Sequence, residues 1–204
     1  MKKVFACLLL LLLPSVADSW NWDKAIAKIN LATVLVSNQA ETFGCTGFSI
    51  NEVEGYYITA GHCVKQDMPT TFTVTSAYVK DTSPASVVLY LPQPIDLAVL
   101  KSDLHRPALK PRKGFIYQGL PVATIGYGYG IHMFRAGHVS QADSLLGIRR
   151  WFVVDFAFIS GMSGGPIFDA HGDIVSVTQA SSDRDGLGVV RWVLLKETSQ
   201  YWRN

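Results

Sequence analysis

The chain has 204 residues, and its 18 Lys+Arg against 16 Asp+Glu leave it almost neutral. The small excess comes from Lys2 and Lys3 alone, and no charge run or basic patch lies elsewhere, which argues against a nucleic-acid binder. Beyond the first residues no apolar stretch is long or uninterrupted enough to cross a bilayer.

The N-terminus comes first. Lys2 and Lys3, the apolar run from Val4 to Leu13 and the small-residue site Pro14-Ser15-Val16-Ala17 are the three parts of an export signal. The apolar run is shorter than the roughly 18 residues of a membrane span. A signal peptide at residues 1–17 is therefore predicted, with a secreted or periplasmic product; a retained N-terminal anchor is the alternative. About 187 residues (18–204) then remain, enough for one domain with a real core. Cys7 leaves with the signal. Cys45 and Cys63 remain, and in an export setting a pair favours a disulfide over free thiols.

Asp18 to Asn30 reads as a short amphipathic or irregular lead-in, in which Trp20, Trp22 and Ile26 share a face against a core. From there the pattern is mostly strand. Leu31–Val36, Gly47–Ile50, Tyr56–Thr59, Thr71–Tyr78, Ala85–Leu91 and Leu97–Lys101 are short, β-branched or aromatic, and bounded by turn residues. A second set follows Pro107–Gly114: Val122–Tyr127, Met133–Val139, Trp151–Phe156, Pro166–Phe168, Asp173–Gln179 and Gly188–Leu194. Two groups of about six strands predict an all-β protein of two antiparallel barrels, one about 31–101 and the other about 116–195. The boundary falls near 102–115, and Lys196–Arg203 predicts a short terminal helix.

Three motifs carry the chemistry: Thr59-Ala60-Gly61-His62-Cys63, then Asp96-Leu97-Ala98-Val99-Leu100, then Gly161-Met162-Ser163-Gly164-Gly165-Pro166. A serine hydroxyl is a weak nucleophile until a neighbouring base takes its proton, and an imidazole suits that task. A carboxylate behind the imidazole fixes its tautomer and stabilises the imidazolium. His62, Asp96 and Ser163 supply these groups, in the order of one known acyl-transfer triad. Glycines beside the serine let the backbone turn two amides, those of Gly161 and Ser163, toward a developing oxyanion.

Other readings are weaker. The same Gly-x-Ser-x-Gly string matches the nucleophile elbow of α/β-hydrolases, whose partners follow as Asp and then His. His171 is the only histidine after Ser163, in a predicted hairpin turn, so order and space fail. His62 with Cys63 makes a poor metal pair, because no second ligand cluster has suitable spacing. His105, His132 and His138 read as surface or loop residues, so no metal and no cofactor are predicted. Gly126-Tyr127-Gly128-Tyr129-Gly130 lacks the strand-to-helix setting of a dinucleotide loop and reads as a strand end beside the substrate cleft. Trp151, Phe152, Phe156 and Phe158 read as barrel core.

At the three motifs the sequence resembles the trypsin-like serine proteases of the chymotrypsin fold, over about residues 31 to 195. The resemblance implies two β-barrels with the active site in the cleft between them. It makes His62 the base, Asp96 the orienting carboxylate, Ser163 the nucleophile, and Cys45–Cys63 a bonded pair beside the histidine. Asp155-Phe156-Ala157, Thr124-Ile125-Gly126-Tyr127 and Gly172-Asp173-Ile174-Val175-Ser176 are similar to the bacterial high-temperature-requirement branch. Two features depart from that branch: the chain ends before any appended peptide-binding domain, and it has the cysteine pair. A third departure, from the digestive enzymes, is Met162, where an aspartate would pair with a newly cleaved N-terminus. No Ile-Val-Gly-Gly start follows a basic residue either, so activation by cleavage is not expected.

The resemblance puts the floor of the primary pocket at Ala157, with walls near Gln179, Ala180 and Ser181 and near Gly186–Gly188. No acid stands at that floor, so small or medium apolar side chains are expected there; Asp155 would alter this if the register differed. The expected function is a secreted or periplasmic serine endopeptidase working through an acyl-enzyme on a polypeptide substrate. The competing reading is a binding module on the same fold without turnover. Esterase activity alone is a narrower third.

Overall fold

The structure is a computed structural model that describes residues 22–38, 44–64, 72–76, 78–93, 95–146, 149–181, 188–191 and 199–202. The predicted signal at 1–17 and Trp20 lie outside these residues. None of the described helices is long and apolar enough to cross a membrane.

The lead-in is a helix, α1 (Trp22–Ala32), and it runs two residues further than the sequence pattern suggested. Ala25, Ile29 and Ala32 are buried at helical spacing, and Trp22 and Ile26 pack beside them. Leu31 and Ala32 therefore close the helix instead of opening the first strand. Thr33 then turns the chain: its hydroxyl donates to the Ile29 carbonyl at 2.8 Å while its backbone begins β1 (Thr33–Asn38).

β2 (Cys45–Asn51), β3 (Tyr56–Ala60), β4 (Phe72–Ser76), β5 (Asp81–Leu91) and β6 (Leu97–Ser102) complete the first barrel, closed in the order β1-β2-β3-β6-β5-β4. β5 starts four residues before the expected Ala85. Pro84 hides that start, yet it pairs with Thr73, and its carbonyl accepts the Ser102 hydroxyl at 2.7 Å. Val34, Tyr57, Val74 and Leu100 fill the interior.

The second barrel is built from β8 (Pro121–Gly128), β9 (Ile131–Leu146), β10 (Arg149–Val154), β11 (Pro166–Phe168), β12 (Asp173–Ser181) and β13 (Gly188–Arg191). The strands follow β11-β8-β9-β10-β13-β12, and β12 pairs back onto β11, closing the ring. β8 and β9 meet at a two-residue turn, Tyr129-Gly130, with φ of +49° and +75°, the pairing of positive angles that matches strand twist. β10 ends at Val154, short of the expected Phe156. Phe156 and Phe158 still enter the core, edge to face with centroids 5.4 Å apart. The side chains of Trp151 and Phe152 lie outside the described part.

The linker contributes an unforeseen strand, β7 (Lys110–Pro111), which lies parallel to the start of β12. Beside it, Arg112 forms an ion pair with the buried Asp169. A third apolar cluster joins α1 to both barrels through Ile29, Phe48, Ile125 and Phe168. At the tail, Ser199–Tyr201 forms one 3-10 turn, and Tyr201 packs edge to face on Tyr56 at 5.2 Å. The other residues of the expected terminal helix, and 192–194 of the last expected strand, lie outside the described part.

Candidate active site

His62 sits in a 3-10 turn (Gly61–Val64) that leaves the end of β3. Gly61 allows this turn to lie against the loop before β6, since a Cβ there would stand 2.8 Å from the Leu97 nitrogen. In that loop the Ile95 and Asp96 amides both donate to the Pro92 carbonyl, and Asp96 adopts φ +58°. Aspartate is among the few side chains that tolerate this left-handed conformation. The reversal points the Asp96 carboxylate at His62 in two places. Oδ1 accepts the His62 backbone amide at 2.7 Å, and Oδ2 lies 2.8 Å from Nδ1. The buried carboxylate can only accept, so Nδ1 carries the proton and Nε2 is left as the basic nitrogen.

Ser163 lies in a loop whose glycines have no alternative. Gly161 has φ +96°, and a Cβ there would meet the Tyr127 carbonyl; Gly164 has φ +84°, and a Cβ there would meet the Thr46 carbonyl. The carbonyls of Ser160, Gly161, Met162 and Ser163 are each taken up inside the protein. Their donors are Tyr129 N–H, the Thr46 hydroxyl, Gly165 N–H and Thr46 N–H, at 2.8 to 3.0 Å. The Gly161 and Ser163 amides have no acceptor among the described residues. Met162 is fully buried in the core of the second barrel, so the loop is anchored by an apolar side chain at its centre.

Cys45 and Cys63 form a disulfide that ties β2 to the His62 turn. Cys63 Sγ is 3.9 Å from the Ser163 carbonyl; the oxidised sulfur has no proton, so this is a packing contact. It brings the histidine turn and the serine loop together. The Ser163 hydroxyl makes no hydrogen bond to His62 in this structure. Cys45, His62 and Cys63 offer ligand atoms within 4.8 Å of one another, yet both sulfurs are held in the disulfide.

Two residues in this neighbourhood escaped the sequence reading. Thr46 bridges both barrels, as its carbonyl also accepts the Thr59 hydroxyl and its Oγ1 accepts the Tyr127 amide, each at 2.8 Å. Gln179, a pocket wall by sequence, has a second role: its amide donates to the Ile95 and Asp96 carbonyls, both at 2.9 Å, so a β12 side chain holds the Asp96 loop of the other barrel. No sequence signal marks either role. Ala157 is half-buried between β10 and Ser163, and Ala180 and Ser181 follow Gln179 on β12, their side chains outside the described part. Of Gly186–Gly188, only Gly188 is described.

Asp155 is committed elsewhere: its carboxylate accepts the His138 amide at 2.7 Å and pairs with the His138 ring at 3.3 Å. His138 and His105 are exposed, as expected. His132 differs, standing half-buried on β9 against the Tyr127 ring at 5.2 Å, and burial pushes its pKa below the ordinary value.

A family model described as trypsin-like peptidase domain matches residues 45–177. No curated protein matches the chain. Among solved structures, the HtrA-type protease AlgW with tripeptide shares 25% identity at a TM-score of 0.76, over 88% of this chain and 62% of that one. The serine endoprotease from Yersinia pestis shares 23% at 0.76, over 88% and 65%. The Rv3671c protease from M. tuberculosis, active form, shares 22% at 0.73, over 87% and 82%. The chain thus spans less than two thirds of the AlgW and Yersinia chains.

Proposed function

The chain belongs to the trypsin-like peptidase domain family, and from that premise we propose that it is a serine endopeptidase with Ser163 as nucleophile. The two-point pairing of Asp96 with His62, set against the serine loop, carries this reading. His62 Nε2 takes the Ser163 proton as Oγ attacks the scissile carbonyl. The oxyanion of the tetrahedral intermediate lies against the Gly161 and Ser163 amides, and one such donor is worth about 3–4 kcal/mol. His62 then protonates the leaving amine. Water, deprotonated by His62, hydrolyses the ester and restores the serine.

The substrate is a polypeptide, held with its primary side chain over Ala157 and beside the Gln179–Ser181 segment. Asp155 is paired to His138 and so is not free to select a basic residue there. The preference is for small or medium apolar side chains. Residues 1–17 act as an export signal, and 18–204 form the peptidase domain of a secreted or periplasmic protein.

The test is labelling with a fluorophosphonate. Wild-type protein takes the label, Ser163→Ala does not, and a peptide library is cut after small apolar residues. A folded wild-type protein that takes no label would favour the binding-module reading, and cleavage after Lys or Arg would refute the pocket.

A further inference from the structure

The geometry points to Thr46 as a positioning residue for the oxyanion hole, holding the loop's amides in their donating orientation from the opposite barrel; this rests on the serine-peptidase reading above. Four successive peptide groups make up the loop. In a trans peptide the C=O and N–H point opposite ways, so a carbonyl held inward aims the following N–H outward. The groups that present the Gly161 and Ser163 amides are held at their carbonyls by Tyr129 N–H and Gly165 N–H. The two groups that alternate with them, Gly161–Met162 and Ser163–Gly164, are both held at their carbonyls by Thr46, while their amides donate to the Ile159 and Thr178 carbonyls at 3.0 and 2.7 Å. Its hydroxyl donates to the Gly161 carbonyl, and its amide donates to the Ser163 carbonyl, each at 2.8 Å.

The hydroxyl is fixed in direction. Its oxygen accepts the Tyr127 amide at 2.8 Å, so its single proton goes to Gly161. Gly161, at φ +96° and without a Cβ, is the joint about which the loop turns most easily. Removing the hydroxyl would strand the buried Gly161 carbonyl and take the acceptor from the Tyr127 amide on β8, and turning the Gly161–Met162 group would relieve the first at the expense of the hole. Gly126 guards the same contact from below: a Cβ there would stand 2.8 Å from Thr46 Oγ1.

The experiment compares wild type, Thr46→Val, Thr46→Ser and Gly126→Ala on one peptide substrate, with a fluorophosphonate titration and a thermal melt of each. Thr46→Val keeps the shape and loses the hydroxyl; its kcat should fall about 10²-fold with KM changed less than about threefold, as for a lost oxyanion donor. Thr46→Ser should recover most of the rate. Gly126→Ala displaces the hydroxyl without removing it and should also lose kcat selectively, which keeps the test alive if Thr46→Val fails to fold. Wild-type kcat in Thr46→Val, a loss confined to KM, or a Thr46→Ser as slow as Thr46→Val would each overturn the role. A wild-type protein that takes no fluorophosphonate label would instead sink the peptidase reading itself.

Discussion

Asp96 occupies a backbone conformation that costs an ordinary residue about 1–3 kcal/mol, and something must hold it there. Pro92 does so from within the loop, and Gln179 from the opposite barrel. Gln179→Leu keeps the volume but leaves two buried carbonyls without their donor. It should lower the unfolding free energy by about 1–3 kcal/mol in a urea titration and slow catalysis, because the carboxylate behind His62 loses its support. Unchanged stability would mean the amide is dispensable. His62, Asp96 and Ser163 announce themselves through neighbours in their own loops, whereas Gln179 and Thr46 act across 83 and 115 positions of chain. A threonine after a cysteine and a glutamine in a strand look like any others. Only the closed barrels bring them to their partners.

At the scale of elements, the short apolar strands were legible because alternation and turn residues mark them. The ends were not. β5 begins at a proline-bearing half that propensity disfavours, and pairing with β4 decides it. β7 is two residues long and exists because β12 offers it a parallel edge. The β8–β9 hairpin carries its own prediction. His132 is half-buried there, and its pKa lies below the roughly 6.5 of an unfolded chain. The unfolded state then binds the proton more tightly, so this contribution to stability is full above about pH 6.5 and is lost as pH falls toward the folded-state value. Melting temperature should therefore drop between about pH 7 and pH 5, and His132→Gln should flatten part of that slope. An unchanged slope would assign the acid sensitivity to other groups.

For the molecule as a whole, two closed barrels joined by α1 and the linker bury the serine loop from both sides. Met162 in the core of the second barrel takes the place an ion-paired aspartate would need, so order in the loop depends on packing. A protein produced to begin at Asp18 should therefore take a fluorophosphonate label as soon as it is folded. Intact-mass measurement alongside the labelling checks this: a label taken up only after a further cut near residue 30 would contradict it. The disulfide, closing a separation of 18 residues, adds about 3 kcal/mol by restricting the unfolded chain.

The bonds from Thr46 to the serine loop, and from Gln179 to the Asp96 loop, have one more consequence, for how the protein comes apart. The serine loop is held from the first barrel and the Asp96 loop from the second, so neither barrel can open alone and leave the site intact. The Thr46 and Gly164 amides should exchange with deuterated solvent only through the slowest, global opening, while exposed turn amides such as that of Val53 exchange early. Turnover then reports the seam, and its decay on heating should track the first cooperative melting step.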